Sequence, residues 1–493
     1  MIAHHLPALQ IVLPLMAAPV CVLIRRGLGA WSLAMVVSIL SLIISLAILF
    51  QVMETGVIRY ALGDWAAPWG IEYRIDLINA FVMVIVSGIA AVVGVFAKAS
   101  VEKEIPQDRH YLFYTAYLLC LTGLLGIAIT GDVFNLFVFL EVSSLSTYML
   151  ISLARDRRAL TAAYRYLILG TIGATFYVIG IGLLYMMTGT LNMADLAEKL
   201  PAVQGTTTIL AALAFLTIGL SLKAAVFPLH QWLPNAYAYA PSVVTAFVAA
   251  TATKVSVYVF LRIFFTVFGG TTLLTSFPLA DIIMVLALVA MFAGSASAIF
   301  QSNVKKLFAY SSVAQIGYMM LGISLLSVTG LSAGIIHLFN HALMKCAIFL
   351  ALGCVFWQIG SVKLGDMAGI GKRMPWTMGA FVAGGLSLIG VPPTVGFISK
   401  WVLVTAALEQ GRWEIAVLIL LSSLLAVIYI WRVIEVAYFR PEGAGAIKVS
   451  EAPMSMLVPL WIMAGAAFWF GIDGTGTLAV AENAAKLLIG GAP

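Results

Sequence analysis

Charge is scarce in this sequence. Asp, Glu, Lys and Arg make up 10% of its 493 residues, where a soluble chain carries about 25%. With 62% hydrophobic residues, that shortage excludes a water-soluble globular protein. The small basic excess, +6 overall, is spread over short connections. No Lys/Arg-rich run of nucleic-acid type occurs. The four cysteines, Cys21, Cys120, Cys346 and Cys354, show no CxxC and no metal-type spacing, and they read as small buried hydrophobes. There is no Walker loop, no dinucleotide-binding glycine pattern and no HExxH. Gly369-Ile-Gly371-Lys372-Arg373 lacks P-loop spacing and reads as a turn. The longest polar connections, 51–76, 98–110, 188–206, 359–377 and 439–452, are too short for a soluble cofactor-binding module, so no cofactor is expected. Strand patterning is missing as well.

What remains is a series of apolar runs of about 20 residues, the length of a membrane-crossing helix. They fall near 8–24, 31–50, 77–97, 111–130, 132–153, 162–187, 207–230, 242–264, 281–300, 307–327, 331–358, 378–402, 414–438 and 453–472. Helices satisfy their own backbone groups in lipid, so the expected fold is an all-α polytopic membrane protein of fourteen helices. Arg25 and Arg26 follow the first run instead of preceding it, which reads as a retained first helix and not a cleaved leader. Basic residues set the orientation. One set of connections holds fifteen of them, among them Arg25, Arg26, Lys98, Lys103, Arg109, Lys305, Lys306, Arg440 and Lys448, against five on the other side. The richer side is expected to be cytoplasmic, with both termini outward in a cell inner (plasma) membrane.

Five charges defy this pattern. Glu141, Lys223, Lys254, Lys345 and Lys400 sit inside apolar runs, where each charge costs roughly 2.5–3.5 kcal/mol on insertion scales. Such residues mark ion paths by default. Two runs are also broken by proline. The seventh carries Lys223-Ala-Ala-Val-Phe-Pro228-Leu-His230-Gln-Trp-Leu-Pro234, and the twelfth carries Gly390-Val-Pro392-Pro393-Thr-Val-Gly396-Phe-Ile-Ser-Lys400. Broken helices in corresponding halves of a transporter point to its ion site. The expected organisation is 1–110 (helices 1–3), 111–268 and 281–440 (two five-helix repeats, the second inverted because five is odd), and 441–493 (helix 14 and tail).

A carboxylate at Glu141 near Lys223 would lower the cost of both charges. His337, His341 and Lys345 lie four residues apart in turn and share one helix face, and histidine shuttles protons near neutrality. Each residue also has a bland reading. Glu141, Lys223 and Lys254 could be structural ion pairs, Lys400 could snorkel to an interface, and His230 could bond carbonyls freed by the break. Asp76 would order a loop end, Asp132 would cap the fifth helix, and Arg165, Arg262 and Arg432 would reach headgroups.

Several strings go further. Phe139-Leu-Glu141-Val-Ser-Ser-Leu-Ser-Thr-Tyr148, Phe227-Pro-Leu-His-Gln-Trp-Leu-Pro-Asn-Ala-Tyr237, Lys305-Lys-Leu-Phe-Ala-Tyr-Ser-Ser-Val-Ala-Gln-Ile-Gly-Tyr318 and His337-Leu-Phe-Asn-His-Ala-Leu-Met-Lys345 resemble the antiporter-like subunits of Mrp cation/proton antiporters, respiratory complex I and membrane-bound hydrogenases. Over roughly residues 70–440 the resemblance implies two inverted five-helix repeats, each with a broken helix, and a proton relay at Glu141, Lys223, Lys254, His341, Lys345 and Lys400, with His230 and His337 as lesser members. It implies a hetero-oligomer with other membrane subunits, moving protons and Na⁺, and a secondary transporter more than an enzyme. Gln315 departs from complex I members that carry histidine there, and the chain length resembles the D-type member of the Mrp antiporters. The alternatives are a proton-pumping subunit of a redox-driven complex, or a scaffold. The cation and any metal site stay open.

Overall fold

The computed structural model describes residues 2–270, 278–441 and 449–490. Lys448 lies outside them. Its helices are α1 (Leu6–Ile24), α2 (Gly27–Thr55), α3 (Leu77–Glu104), α4 (His110–Ile129), α5 (Val133–Ser152), α6 (Arg158–Thr188), the short α7 (Met193–Lys199), α8 (Thr207–Ala224), α9 (Leu233–Tyr239) and α10 (Ser242–Leu261). There follow α11 (Leu279–Ile299), α12 (Val304–Ser324), α13 (Val328–Ile359), α14 (Pro375–Ile389), α15 (Val395–Glu409), α16 (Trp413–Ile434), α17 (Met454–Ile472) and α18 (Thr475–Ile489). Among the described residues thirteen helices are long and apolar enough to cross a membrane. Counting α14 and α15 as one interrupted span gives the expected fourteen.

Local chemistry sets where these helices begin. Asp76 caps α3, accepting from the Ile78 and Asn79 N–H groups while the Asn79 side chain accepts from the Asp76 N–H, a reciprocal box that satisfies otherwise orphaned donors. Asp132 caps α5 at 2.9 and 2.7 Å from Phe134 N and Asn135 N. Asn303 and Ser327 do the same for α12 and α13.

Two expectations need correction. A two-stranded antiparallel hairpin, β1 (Ile58–Ala61) and β2 (Glu72–Ile75), stands between α2 and α3 with Ile58 opposite Ile75. Strands of four residues are too short to print an alternation, so the pattern was invisible. α18 is a further helix beyond the fourteenth span. It is too short and polar to cross a membrane, and it buries Ala481, Ala484, Ala485 and Leu488 against α13 and α3.

Burial separates the helices. In the most apolar stretch of α10 and of α12, 94% of residues are buried, against 33–39% in α1, α2, α6, α11, α16 and α17. An all-apolar helix belongs in a core or against lipid. The first two form the core here, and the other six form the rim.

Both proline breaks are present, and each is held by a side chain. α8 ends at Ala224, and Ala225 takes a left-handed φ of 55°. The Trp232 indole N–H then donates to the freed Leu222 carbonyl at 2.9 Å, while its ring stacks on Tyr166 at 3.8 Å. At the second break α14 ends on Gly390 with φ of 92°, a conformation that favours glycine. Lys400 Nζ donates to the Leu388 and Ile389 carbonyls at 2.9 and 2.8 Å, and Asn340 Nδ2 donates to the Val395 carbonyl at 2.6 Å.

Candidate functional site

Most of the residues singled out from sequence form a discontinuous series of polar groups, largely buried, around the two breaks. It starts on α5. Glu141 belongs to an outward stripe with Phe134, Val138 and Leu145, all exposed, and its own side chain is 24% exposed. Its partner, Lys223, occupies the last turn of α8 and is buried. Lys223 Nζ donates to Glu141 Oε1 at 2.9 Å and to Ser144 Oγ at 2.8 Å. A cation at a helix C-terminus also meets the negative end of the helix dipole. Beside this pair lies a cavity of about 20 Å³ touching Lys223, Ser143, Ser144 and, on α10, Ser256. That volume holds one water where polar partners converge, so it can bridge Lys223 towards the central helix.

On α10, Lys254 is buried and donates to the Ala249 carbonyl and to Thr253 Oγ1. It has no carboxylate partner among the described residues, so the ion-pair reading fails for it. Across from it, α13 carries His337, His341 and Lys345 on one face. The two imidazoles are parallel with centroids 5.9 Å apart. Both nitrogens of His341 are buried without a hydrogen-bond partner among the described residues, and Lys254, Lys345 and His337 lie within Coulombic range of it. Lys345, also buried, donates to the Phe308 carbonyl at 2.7 Å and to Ser311 Oγ.

His337 completes the path to the second break. One nitrogen pairs with Ser399 Oγ at 2.8 Å and the other with Gln315 Oε1 at 2.9 Å. Lys400, next in sequence to Ser399, is buried over the Tyr318 ring; it does not snorkel. His230 stands apart. It lies half-buried in the first break, its ring stacked on Phe227 at 5.3 Å, and no hydrogen bond joins it to Lys223 or Lys254 among the described residues.

Sequence reading missed several members. Ser144, Ser311, Gln315 and Ser399 bind charged and ring groups of the candidate relay, yet serine and glutamine carry no charge signal. Lys305, placed in a cytoplasmic connection from sequence, is buried and donates to Ser242 Oγ at 2.9 Å. Glu104 Oε2 accepts from the same Ser242 hydroxyl and from its N–H, at 3.1 and 2.8 Å. Arg262 does not reach headgroups: it is buried and paired with Asp76, because the capping carboxylate of α3 stands directly opposite. Arg432 bonds the Ile299 and Gln301 carbonyls instead.

A sequence model for "NADH:quinone oxidoreductase/Mrp antiporter, TM" matches residues 130–426, the stretch that holds both breaks and every candidate relay residue. The NADH-quinone oxidoreductase subunit N of Desulforudis audaxviator is 42% identical over 477 residues, 93% of this chain and 94% of the relative. The D subunit of the Na(+)/H(+) antiporter of Alkalihalophilus pseudofirmus is 30% identical over 430 residues, 86% of each chain. A chain of the Mrp complex from Dietzia sp. superposes with a TM-score of 0.91 at 25% identity, covering 99% of this chain and 98% of its own. With the model spanning more than half of the chain and a near full-length relative at 42% identity, this protein belongs to the NADH:quinone oxidoreductase/Mrp antiporter family of membrane proteins.

Proposed function

We propose that this chain is the proton-translocating subunit of a multisubunit Na⁺/H⁺ antiporter of Mrp type. One observation carries the reading: a buried lysine at the tip of a broken helix holds a partly exposed carboxylate at 2.9 Å, and buried basic groups continue from it to the second break. Separating Glu141 from Lys223 leaves a desolvated ammonium without its counter-ion, which favours handing the proton on. Lys254, His341, Lys345 and Lys400 receive it in turn, with Glu141 acting as the switch and His337 and His230 as lesser contributors. The near-complete overlay on a chain of the Mrp complex supports the antiporter setting. Glu141 on an outer stripe supports a neighbouring membrane subunit against α5, since a carboxylate does not face lipid at low cost.

The charge asymmetry supports both termini facing outward across a plasma membrane, and the placement of the breaks supports two inverted repeats over 111–268 and 281–440. The 42% identical subunit N favours a second setting, a redox-driven complex in which the same relay pumps protons. Purifying the complex from its host and identifying its subunits separates the two.

The relay is tested in proteoliposomes of the assembled complex by following collapse of a pH gradient on Na⁺ addition. Glu141→Gln is expected to slow exchange at least about tenfold, the scale of losing a positioned proton-transfer group; Glu141→Asp should retain part of the rate. An assembled Glu141→Gln complex that exchanges at the native rate would remove the basis for the relay.

A further inference from the structure

The relay accounts for the middle of the molecule and leaves unused a charged cavity at the end of α10 opposite Ser242. This vestibule measures about 730 Å³ and is walled by Glu72 and Arg74 of β2, Asp195 and Glu198 of α7, Thr266, and Leu487 of α18. Asp76, Asn79 and Arg262 also line it, and they tie together into its floor. Arg262 Nη2 donates to Asp76 Oδ1 and Asn79 Oδ1, and its Nε donates to the Tyr258 hydroxyl at 3.0 Å. Asn79 Nδ2 donates to the Tyr258 hydroxyl at 2.8 Å and to the Ala128 carbonyl at 2.5 Å.

What lies beneath this floor gives it meaning. Lys254, Tyr258 and Arg262 are spaced by four residues on α10, so they share one helix face and span about 12 Å along the axis. Tyr258 and Arg262 are bonded to each other, and Lys254 stands one turn further in along the same face, its ammonium folded back towards the Ala249 carbonyl. At Arg262 the helix opens into a π-helical turn, Arg262–Val267, a departure common at functional sites. A pin that only held helices together would have no need of a large cavity bordered by charged side chains on one side and a relay lysine two turns away on the other.

We propose that the Asp76–Arg262 pair is the gate of the relay on the vestibule side, and that parting it joins Lys254 to water in the vestibule. The inference rests on Lys254 belonging to the relay. It adds Asp76 and Arg262 as gating residues and assigns the vestibule as the mouth through which protons enter or leave.

The test reads access instead of transport, so it is independent of the Glu141→Gln result. The assembled complex is used in membranes; this chain's native cysteines are buried, and labelling of this chain is read against the complex without an added cysteine. A single Tyr258→Cys is placed behind the gate and, separately, Thr266→Cys in front of it, and each is exposed to a membrane-impermeant methanethiosulfonate cation. Thr266→Cys should react readily in every background. Tyr258→Cys should react slowly with the pair intact and at least about tenfold faster with Asp76→Asn, since losing one partner of a buried pair shifts a two-state equilibrium by that much or more. Asparagine still caps α3, which protects the fold. Arg262→Gln carries the same expectation should Asp76→Asn fail to assemble. A Tyr258→Cys that reacts at one rate in all backgrounds while Thr266→Cys labels normally overturns the gate.

Discussion

His341 is the residue that packing alone does not explain. Leaving a buried polar group unpaired costs about 1–3 kcal/mol, and both of its nitrogens stand unpaired among the described residues. We expect His341→Ala, which loses packing but no hydrogen bond to the described residues, to lower the melting temperature of the complex less than His337→Ala does, while cutting proton-coupled flux at least about tenfold, the scale of losing a positioned proton-transfer group. His337 should behave differently. Its two bonds, to Ser399 and Gln315, are lost in His337→Ala, and thermal unfolding should show a loss of about 1–3 kcal/mol. At this scale the charged relay members were legible because a charge in an apolar run is costly wherever it points. Ser144, Ser311 and Ser399 were not, because hydroxyls are ordinary in membrane helices and sequence does not say which of them faces a lysine. Arg262 and Lys305 were misplaced for a related reason: a cation near a span end can turn to solvent or inward, and only the partner (Asp76 or Ser242) decides.

Among the elements, the second break is the most constrained. A Cβ built on Gly396 would overlap the Ser387 carbonyl oxygen, so α15 restarts in direct contact with the end of α14. Gly396→Ala must push the half-helices apart, and overpacking of this kind costs about 1–3 kcal/mol or more. We expect a lower melting temperature, together with slower flux because Lys400 is displaced from the two carbonyls it holds; comparing the pair of readouts with Gly465→Ala, where a Cβ has open space, checks the effect. The breaks were visible in sequence because proline is. The side chains that hold them, Trp232 and Asn340, carried no such mark. The β hairpin and α18 escaped for want of length.

Across the whole molecule, α3 and α10 are tied at both ends. Asp76 meets Arg262 at one end and Glu104 meets Ser242, with Lys305 of α12 beside it, at the other. The two ties differ in kind. The Glu104 cluster closes on itself, since Glu104 also accepts from Ser100 Oγ at 2.7 Å, whereas the Asp76–Arg262 pair borders a cavity. Glu104→Ala should therefore lower the yield of assembled complex and its thermal stability by about 3–5 kcal/mol, the cost of stranding a buried partner. Asp76→Asn should assemble. Size-exclusion profiles and melting curves of the two variants measure the contrast.

Lys400 occupies the carbonyl end of a half-helix and is also proposed to carry the travelling proton. A full positive charge grips those oxygens more firmly than a neutral amine can. Occupancy by the proton and stiffness of the hinge are then one variable. Each passing charge would tighten the joint on arrival and slacken it on departure, so a chemical event a few ångströms across is converted into a mechanical one that neighbouring subunits can feel.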